Sequence, residues 1–277
     1  MSEIFHKIAI VGVGLIGGSL ALALRQQDAA SVLVGVENNA TSARWALDNG
    51  LVDEIAGQVP DDATLVALCV PSDLVSAWVV KLAKHQAAVF DVGSVKGPIV
   101  SAVASQINLP ENFVPCHPIS GSEKSGPEAA RADLFARCMV VLTPTENTSP
   151  QALESVLKLW RCLEAQTSQL SPQDHDRALA ITSHVPHLLA FAFMQQVEDQ
   201  HFSLTGGGFR DFTRIAGANP ELWWRIFQLN KEEVLTALDT FSADLQSLAQ
   251  SIRDADGESG IAQISAAANK RKASEAE

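Results

Sequence analysis

The sequence predicts an α/β domain followed by an all-helical domain, and two observations support this division. From the N-terminus to about residue 170, short β-branched runs alternate with helical patterns, as in a doubly wound parallel sheet. Beyond residue 170 no further β-branched run of strand length follows, and Ser171-Pro172 starts a long helix over about 172–199. We therefore predict domains over residues 1–170 and 171–260, with a flexible tail over residues 261–277.

The first predicted strand leads into a glycine-rich turn and a helix. An apolar run extends to Val13. Gly12, Gly14 and Gly17 have the spacing G-x-G-x-x-G, and a Leu- and Ala-rich segment follows. The first glycine permits the turn, the second lets backbone approach a pyrophosphate, and the third lets the helix pack on the strand. This pattern predicts a Rossmann-type dinucleotide-binding domain. The predicted cofactor-binding residues of the turn are Gly12, Gly14, Leu15, Ile16 and Gly17.

The second predicted strand carries a signal for the type of dinucleotide. It covers Ser31 to Val36 and ends at Glu37, about 20 residues after the glycines. An acidic residue there accepts a hydrogen bond from a ribose 2′-hydroxyl and repels a 2′-phosphate. Asn38 and Asn39 follow where an NADP site usually has arginine, so we expect NAD. Arg44 is the nearby cation that would favour NADP instead.

Composition narrows the class of protein. The 277 residues carry a formal net charge of −12, which argues against a nucleic-acid partner because such a partner requires a basic face. The uncharged run from Ile8 to Leu24 is interrupted by glycines and is short for a membrane span, and we expect no membrane association. The four cysteines contain no C-x-x-C pair, so we expect reduced thiols in a cytoplasmic protein.

Several polar residues follow predicted strands, at the edge where ligands of parallel sheets bind. Pro71, Ser94 and His117 each stand at or just after the end of an apolar run. Histidine is the usual base that deprotonates a hydroxyl while hydride leaves for a nicotinamide, because its pKa lies near neutrality. His117 is thus a candidate base, and Ser94 a candidate to share a hydrogen bond with it and a substrate hydroxyl. The alternatives are a surface histidine and a helix-capping serine.

Two segments of the helical region carry candidate binding residues. His184 and His187 lie about one helical turn apart and flank Pro186, whose kink would turn both toward a pocket. No third ligand stands at a fixed spacing, so we expect no metal. Arg214 follows a glycine-rich loop and suits a carboxylate through a bidentate pair, and Asp211 either holds neighbouring polar groups or pairs with Arg214.

Taken in order, these motifs resemble the prephenate and arogenate dehydrogenases. The matching segments are G-V-G-L-I-G-G-S at 12–19, D-V-G-S-V-K-G at 91–97, H-P-I-S-G-S-E-K-S-G at 117–126, S-H-V-P-H at 183–187 and G-G-F-R-D-F-T-R-I-A at 207–216. Five motifs in the family's order are far more specific than one glycine pattern.

The resemblance implies oxidative decarboxylation of prephenate to 4-hydroxyphenylpyruvate in tyrosine biosynthesis, with NAD as hydride acceptor. By this likeness His117 accepts the hydroxyl proton, Ser94 assists, and Arg214 binds a substrate carboxylate. The resemblance also implies a homodimer formed through the helical domain. The residues that would line the substrate pocket are His184, His187, Ser122, Glu123 and Asp211.

Other functions stay open at this point. Glu123 and Asp211 suit the ammonium group of arogenate, so an arogenate or dual-specificity enzyme is an alternative. A different two-domain hydroxy-acid dehydrogenase or imine reductase is more remote, because it would use a lysine of the helical domain and none lies between Glu164 and Gln228. A non-catalytic dinucleotide sensor is the third alternative, and it would not need the histidine, serine and arginine together.

Overall fold

The computed structural model describes residues 5–120, 124 and 126–274. The strands are β1 (Phe5–Val11), β2 (Ala30–Val36), β3 (Glu54–Ile55), β4 (Leu65–Leu68), β5 (Ala88–Asp91), β6 (Phe113–Val114), β7 (Cys116–Pro118), β8 (Met139–Leu142) and β9 (Gln166–Gln169). The α-helices are α1 (Leu15–Gln26), α2 (Ala40–Asp48), α3 (Ser72–Lys81), α4 (Gly97–Ala104), α5 (Pro150–Cys162), α6 (Pro172–Leu179), α7 (Val185–Met194), α8 (Gly207–Thr213), α9 (Pro220–Leu229), α10 (Lys231–Arg253) and α11 (Gly257–Ala273).

The main sheet has six parallel strands in the order β3-β2-β1-β4-β5-β6. This is the strand order of a Rossmann-type sheet, so the predicted doubly wound fold is confirmed. The order reverses between β1 and β4. Ligands of such sheets bind in the crevice at that reversal, and the glycine-rich turn after β1 lies there.

Helices cover both faces of this sheet. Ile10 and Phe90 belong to one buried cluster together with residues of α1 and α5. Val11 and Val89, their neighbours along the same strands, belong to a second cluster with residues of α3 and α4. Burial on both faces explains why these strands read as continuous apolar runs in the sequence.

A second, smaller sheet has the order β7-β8-β9, with β7 antiparallel to β8 and β8 parallel to β9. The run over residues 113–117, which ends at His117, is divided between β6 and β7. The division falls at Pro115, which has no N–H to donate to a sheet. His117 therefore lies in the second sheet and not at the end of a strand of the main sheet.

The helix predicted over about 172–199 is also divided. The α6 helix ends at Leu179, a π-helix covers Ala180–His184, and α7 ends at Met194. Pro186 is the second residue after the π-helical turn, and it lacks the N–H that an α-helix would direct to residue 182, which agrees with a local widening there.

The chain forms two compact units, residues 1–230 and 231–277. The second consists of α10 and α11. The expected tail over residues 261–277 is wrong for residues up to Ala273, which are helical. The Asp256 side chain caps α11 by accepting from the Ser259 N–H at 3.1 Å, and the segment is rich in alanine, the strongest helix former. Among the residues described, no helix is long and apolar enough to cross a membrane.

Candidate active site

The glycine-rich turn after β1 needs glycine for two separate reasons. Gly12 has a φ of +89°, and a Cβ there would lie 2.6 Å from the Cys69 carbonyl oxygen. A Cβ at Gly17 would lie 2.0 Å from the Gly12 carbonyl oxygen. At Gly14, in contrast, a Cβ would meet no atom of the described chain within 4 Å. Packing within the described chain therefore does not require glycine at position 14.

The N-terminus of α1 has the properties of an anion site. Gly14 precedes the helix and has no side chain to cap it, and the first turn contains no acidic residue. In α2, α5, α6, α9 and α11, a side-chain oxygen caps the first turn. Leu15 and Ile16 begin α1, so its first N–H groups and the positive end of its dipole suit a phosphate group.

Glu37 lies beside this turn. Its Oε2 accepts a hydrogen bond from the Val13 N–H at 2.9 Å, and its Oε1 accepts from the Asn39 N–H at 2.8 Å. The carboxylate is thus fixed next to the position expected for a nucleotide. Arg44 forms an exposed ion pair with Asp48 of the same helix at 3.4 Å, so its charge is engaged within α2.

His117 is the first member of a buried chain of three polar side chains. Its Nδ1 lies 2.9 Å from Nε2 of His175, and Nδ1 of His175 lies 2.7 Å from Oδ1 of Asp176. The three residues are 9%, 0% and 4% exposed. His117 comes from β7, whereas His175 and Asp176 come from α6, so the chain joins the second sheet to the helical region.

The partners fix the tautomers of this chain. The carboxylate of Asp176 can only accept, so Nδ1 of His175 carries a hydrogen and its Nε2 accepts from Nδ1–H of His117. Neutral His117 therefore keeps a free lone pair on Nε2. Burial is the main reason that the pKa of His117 lies well below its usual value of 6.5. The imidazole is thus neutral at neutral pH and able to accept a proton.

The N-terminal backbone of α4 binds Asp176, the last residue of this hydrogen-bonded chain. Oδ1 of Asp176 accepts from the Lys96 N–H at 2.8 Å, and Oδ2 accepts from the Gly97 N–H at 2.8 Å. These are the first N–H groups of α4, so the positive end of a helix dipole faces the carboxylate. Together with Nδ1–H of His175, they stabilise a negative charge at Asp176.

Lys96 is fully buried. Its ammonium group forms an ion pair with Asp91 and donates to the Cys116 carbonyl oxygen at 2.7 Å.

Ser94 lies in the same loop between β5 and α4 and is partly buried. Its hydroxyl forms no hydrogen bond with His117 or with another residue that the structure describes, so its assisting role stays a prediction. Pro71 stands directly before α3, as expected for the edge of the main sheet.

His184 and His187 lie close to two residues of α9 and the turn after it. Nδ2 of Asn230 is 3.0 Å from Nδ1 of His184 and 2.8 Å from the Asp176 carbonyl oxygen. A carbonyl only accepts, so this amide nitrogen donates to both, and His184 carries its proton on Nε2. Burial lowers the pKa of His184 to about 4. His187 stacks on Trp223 with ring centroids 3.5 Å apart.

Arg214 is exposed in the short 3₁₀-helix after α8 and forms no ion pair with any residue in the described ranges. Its positive charge is one of the causes that lower the pKa of His187, after burial. Asp211 is exposed as well and does not pair with Arg214, so the structure does not support a structural ion pair between them. The guanidinium group is available for an anionic ligand.

Sequence models of two protein families match this chain. The model described as "Prephenate dehydrogenase, nucleotide-binding domain" matches residues 20–169, and the model described as "Prephenate dehydrogenase, dimerization domain" matches residues 171–265. Together they span most of the chain. The chain belongs to the prephenate dehydrogenase family. The resemblance inferred from the five motifs is confirmed, and the chain is an oxidoreductase of this family.

Individual members of the family are similar over almost the whole length. The cyclohexadienyl dehydrogenase of Zymomonas mobilis is 34% identical over 270 residues, which are 92% of this chain and 91% of that protein. A prephenate dehydrogenase of Aquifex aeolicus, solved with hydroxyphenyl propionate and NAD+, has 34% identity and a TM-score of 0.87, covering 98% of this chain and 99% of that one. An arogenate dehydrogenase of Synechocystis has 31% identity and a TM-score of 0.82, covering 96% and 99%.

Two of the candidate site residues fall outside the part of the chain that the structure describes. Ser122 and Glu123 lie outside the described residues. No group of three or more His, Cys, Asp or Glu side chains in the described part of the chain is arranged to hold a metal ion.

Sequence reasoning missed His175, Asp176, Trp223 and Asn230. A signal existed for the first two, because the buried positions of α6 are 172, 175, 176 and 179, the spacing of one helical face. Polar residues on such a face indicate a buried polar contact.

Proposed function

We propose that this chain catalyses the NAD-dependent oxidative decarboxylation of prephenate to 4-hydroxyphenylpyruvate, a step of tyrosine biosynthesis. One observation carries this proposal: the buried chain of His117, His175 and Asp176 leaves a lone pair on Nε2 of a neutral histidine. A base of this kind suits removal of a proton from the ring hydroxyl of the substrate.

The proposed reaction follows from that base. Nε2 of His117 accepts the hydroxyl proton as the carbon–oxygen bond becomes a carbonyl bond and the hydrogen on that carbon leaves as hydride. NAD supplies the acceptor for the hydride. The bond between the ring and its carboxylate breaks, carbon dioxide leaves, and the electron pair passes through the ring to the carbonyl oxygen, so that the ring becomes aromatic. The resulting phenolate takes a proton back from His117 and becomes the phenol of the product. The imidazolium formed at His117 is stabilised by Asp176 through His175.

The cofactor proposal is supported by the turn after β1. Gly14 leaves room for close approach, the N-terminus of α1 is uncapped, and the Glu37 carboxylate stands where a 2′-hydroxyl would donate to it. Gly12, Leu15, Ile16, Gly17, Pro71 and Ser94 complete the proposed cofactor site. The same carboxylate would repel a 2′-phosphate, which favours NAD over NADP.

The substrate proposal is supported by the charge and exposure of Arg214, which we propose binds a carboxylate of prephenate in a bidentate pair. His184 presents Nε2–H as a donor, and His187 is held against Trp223. We propose that both line the pocket, with Ser94 assisting His117. Ser122 and Glu123 are proposed as lining residues from the motif resemblance alone.

Arogenate, or both compounds, is the second candidate substrate. Asp211 is exposed, does not pair with Arg214, and would attract the ammonium group that distinguishes arogenate from prephenate. A relative named cyclohexadienyl dehydrogenase is 34% identical to this chain, as is one named prephenate dehydrogenase, and one named arogenate dehydrogenase is 31% identical.

We also propose that two copies of the chain associate through the helical domain and that the boundary between the two domains lies near residue 170. A third proposal is that the protein is cytoplasmic. The dimerization-domain match over residues 171–265 supports the first two statements. Exposed apolar side chains in α10 and α11, such as Ile252 at 80% and Ile261 at 67%, are available for such an interface. The acidic net charge of −12 supports the absence of a nucleic-acid partner.

Initial rates test the proposed function directly. Prephenate and arogenate are each offered with NAD and with NADP at neutral pH, and the absorbance of the reduced cofactor is followed. We expect a rate with prephenate and NAD. A faster rate with arogenate or with NADP would replace that part of the proposal, and no rate with any pair would exclude it.

A further inference from the structure

The buried ion pair of Asp91 and Lys96 lies beside the proposed base but does not belong to its hydrogen-bonded chain. Both side chains are 0% exposed. We infer that Lys96 is a positioning residue: it holds the strand that carries His117 and the carboxylate of Asp176 in one fixed arrangement. This inference rests on the proposed role of His117 as the base.

The side chain of Lys96 holds one end of the arrangement. Its Nζ donates to the carbonyl oxygen of Cys116 at 2.7 Å, and the Cys116 N–H donates to Oδ1 of Asp91 at 3.3 Å. The ion pair thus contacts both backbone polar groups of Cys116. Because Cys116 directly precedes His117, these two contacts restrict where the imidazole can lie.

The backbone of Lys96 holds the other end. Its N–H donates to Oδ1 of Asp176 at 2.8 Å, the same oxygen that accepts from His175. Lys96 therefore contacts Cys116, next to His117, through its side chain and Asp176 through its backbone. A shift of Lys96 would change the spacing between the base and the carboxylate that orients it.

Hydrogen bonds to backbone near the site offset the cost of burying this ion pair. Burying two charges costs more than burying apolar side chains of equal size, unless the remaining hydrogen-bonding groups are satisfied. Here they are directed to the site: Asp91 also accepts from the Gly93 N–H at 2.8 Å, and the ammonium group reaches Cys116. The positive charge of Lys96 also favours the neutral form of His117.

The test compares two double variants. Asp91→Asn/Lys96→Met removes the charge pair while keeping its volume. Arg25→Met/Asp53→Asn is the control for loss of an ion pair away from the histidines: Arg25 contacts Asp53 at 2.9 Å and the Leu51 carbonyl oxygen at 3.2 Å, and both side chains of this pair are partly exposed. Thermal unfolding shows how much stability each variant loses.

Two readouts separate positioning from stability. The first is the low-field proton resonance of the hydrogen bond between His117 and His175, recorded without cofactor or substrate. The second is the split between kcat and KM with the best substrate pair. We expect Asp91→Asn/Lys96→Met to lose the resonance and at least about tenfold in kcat, with KM changed by less than about threefold. The control retains both, and we expect it to lose less Tm, because a partly exposed ion pair contributes little to stability.

An unchanged resonance, or a kcat within about twofold of the parent, overturns the inference. If the double variant does not fold, Lys96→Gln takes its place, since a shorter neutral amide cannot contact both Asp91 and Cys116 in the same way; the same two outcomes decide. If the protein turns over no substrate, the resonance alone decides, so a failure of the proposed function is distinguished from a failure of the positioning role.

Discussion

The Nδ1 atom of His117 and the Nε2 atom of His175 lie 2.9 Å apart and carry one hydrogen between them. The two residues are 58 positions apart in the sequence and come from a strand and a helix. Their contact determines which nitrogen of His117 stays unprotonated, because the other side of His175 is committed to Asp176.

Replacing the proposed base should abolish most of the activity. We expect His117→Asn to lower kcat by about 10²- to 10⁴-fold with little change in KM, because the variant cannot accept the hydroxyl proton but leaves the binding residues in place. Steady-state kinetics measure both constants. A kcat close to that of the parent would remove His117 from this role.

The pH profile of the parent should show an unusually acidic limb. His117 acts in its neutral form, so activity is present above its pKa and is lost as the pH falls through it. Since burial places this pKa well below 6.5, kcat/KM should stay constant down to pH 6.5 and fall only at lower pH. A limb at or above pH 6.5 would contradict the assignment.

The stability of the folded protein should also decrease over the acidic pH range in which kcat/KM is measured. The pKa of His184 is lowered to about 4, so between pH 6.5 and pH 4 the unfolded chain binds a proton at this residue that the folded chain does not. Stability therefore decreases as the pH falls, and circular dichroism identifies the pH at which lost activity reflects lost structure.

Asp176→Asn should disrupt the far end of the hydrogen-bonded chain from His117. Whichever way the asparagine amide is turned, its NH2 group faces the N–H of Lys96 or of Gly97, and the negative charge that stabilises the imidazolium of His117 through His175 is gone. We expect kcat to fall by about 10²- to 10⁴-fold. Asp174→Asn is the control, because Asp174 lies two residues away in an exposed ion pair with Arg177 and should keep near-parental kcat.

Removing the guanidinium group of Arg214 should weaken substrate binding. We expect Arg214→Gln to raise KM for prephenate by about 10- to 100-fold, the value of a charged hydrogen-bonded contact, while Arg214→Lys has an intermediate effect because it keeps the charge without the bidentate geometry. The control is Arg161→Gln on α5, where an exposed arginine pairs with Glu154. Equal KM values for Arg214→Gln and the parent would reject the contact.

Cofactor preference should depend on Glu37. In Glu37→Gln, an amide oxygen can still accept from the Val13 N–H, but the negative charge that repels a 2′-phosphate is gone. We expect the ratio of kcat/KM for NAD to that for NADP to fall by at least about tenfold. Glu54→Gln, at an exposed position of β3, controls for the loss of one charge. An unchanged ratio would mean that other residues select the cofactor.

The main sheet was predictable because parallel strands buried on both faces leave continuous apolar runs in the sequence. Strand β9 could not be predicted, since Gln166–Gln169 is polar and exposed along its whole length. The two-residue strand β3 carries too few side chains for a pattern. Pro115 was visible in the sequence, but its consequence, a strand divided between two sheets, depends on which partners lie nearby.

The site was predictable only in part, for a similar reason. Glu37 and the glycines act within one strand–turn–helix unit, so local spacing locates them. His117 was found from its residue type, but its orientation depends on His175, a contact between distant segments that spacing does not encode. The inward direction of Lys96 likewise follows from Asp91 and Cys116, which meet it only in the folded chain.

The contact between His117 and His175 has a consequence for recombining members of this family. His117 lies within the segment matched by the nucleotide-binding model, residues 20–169, whereas His175 and Asp176 lie within the segment matched by the dimerization model, residues 171–265. A chimera joined at residue 170 takes the two halves of one proton-accepting unit from different parents. A junction after residue 230, where the first compact unit ends, transfers His117, Asp176 and the supporting amide of Asn230 together. Exchange of cofactor preference by domain grafting is therefore expected to succeed at the second junction and to yield folded but slow enzymes at the first.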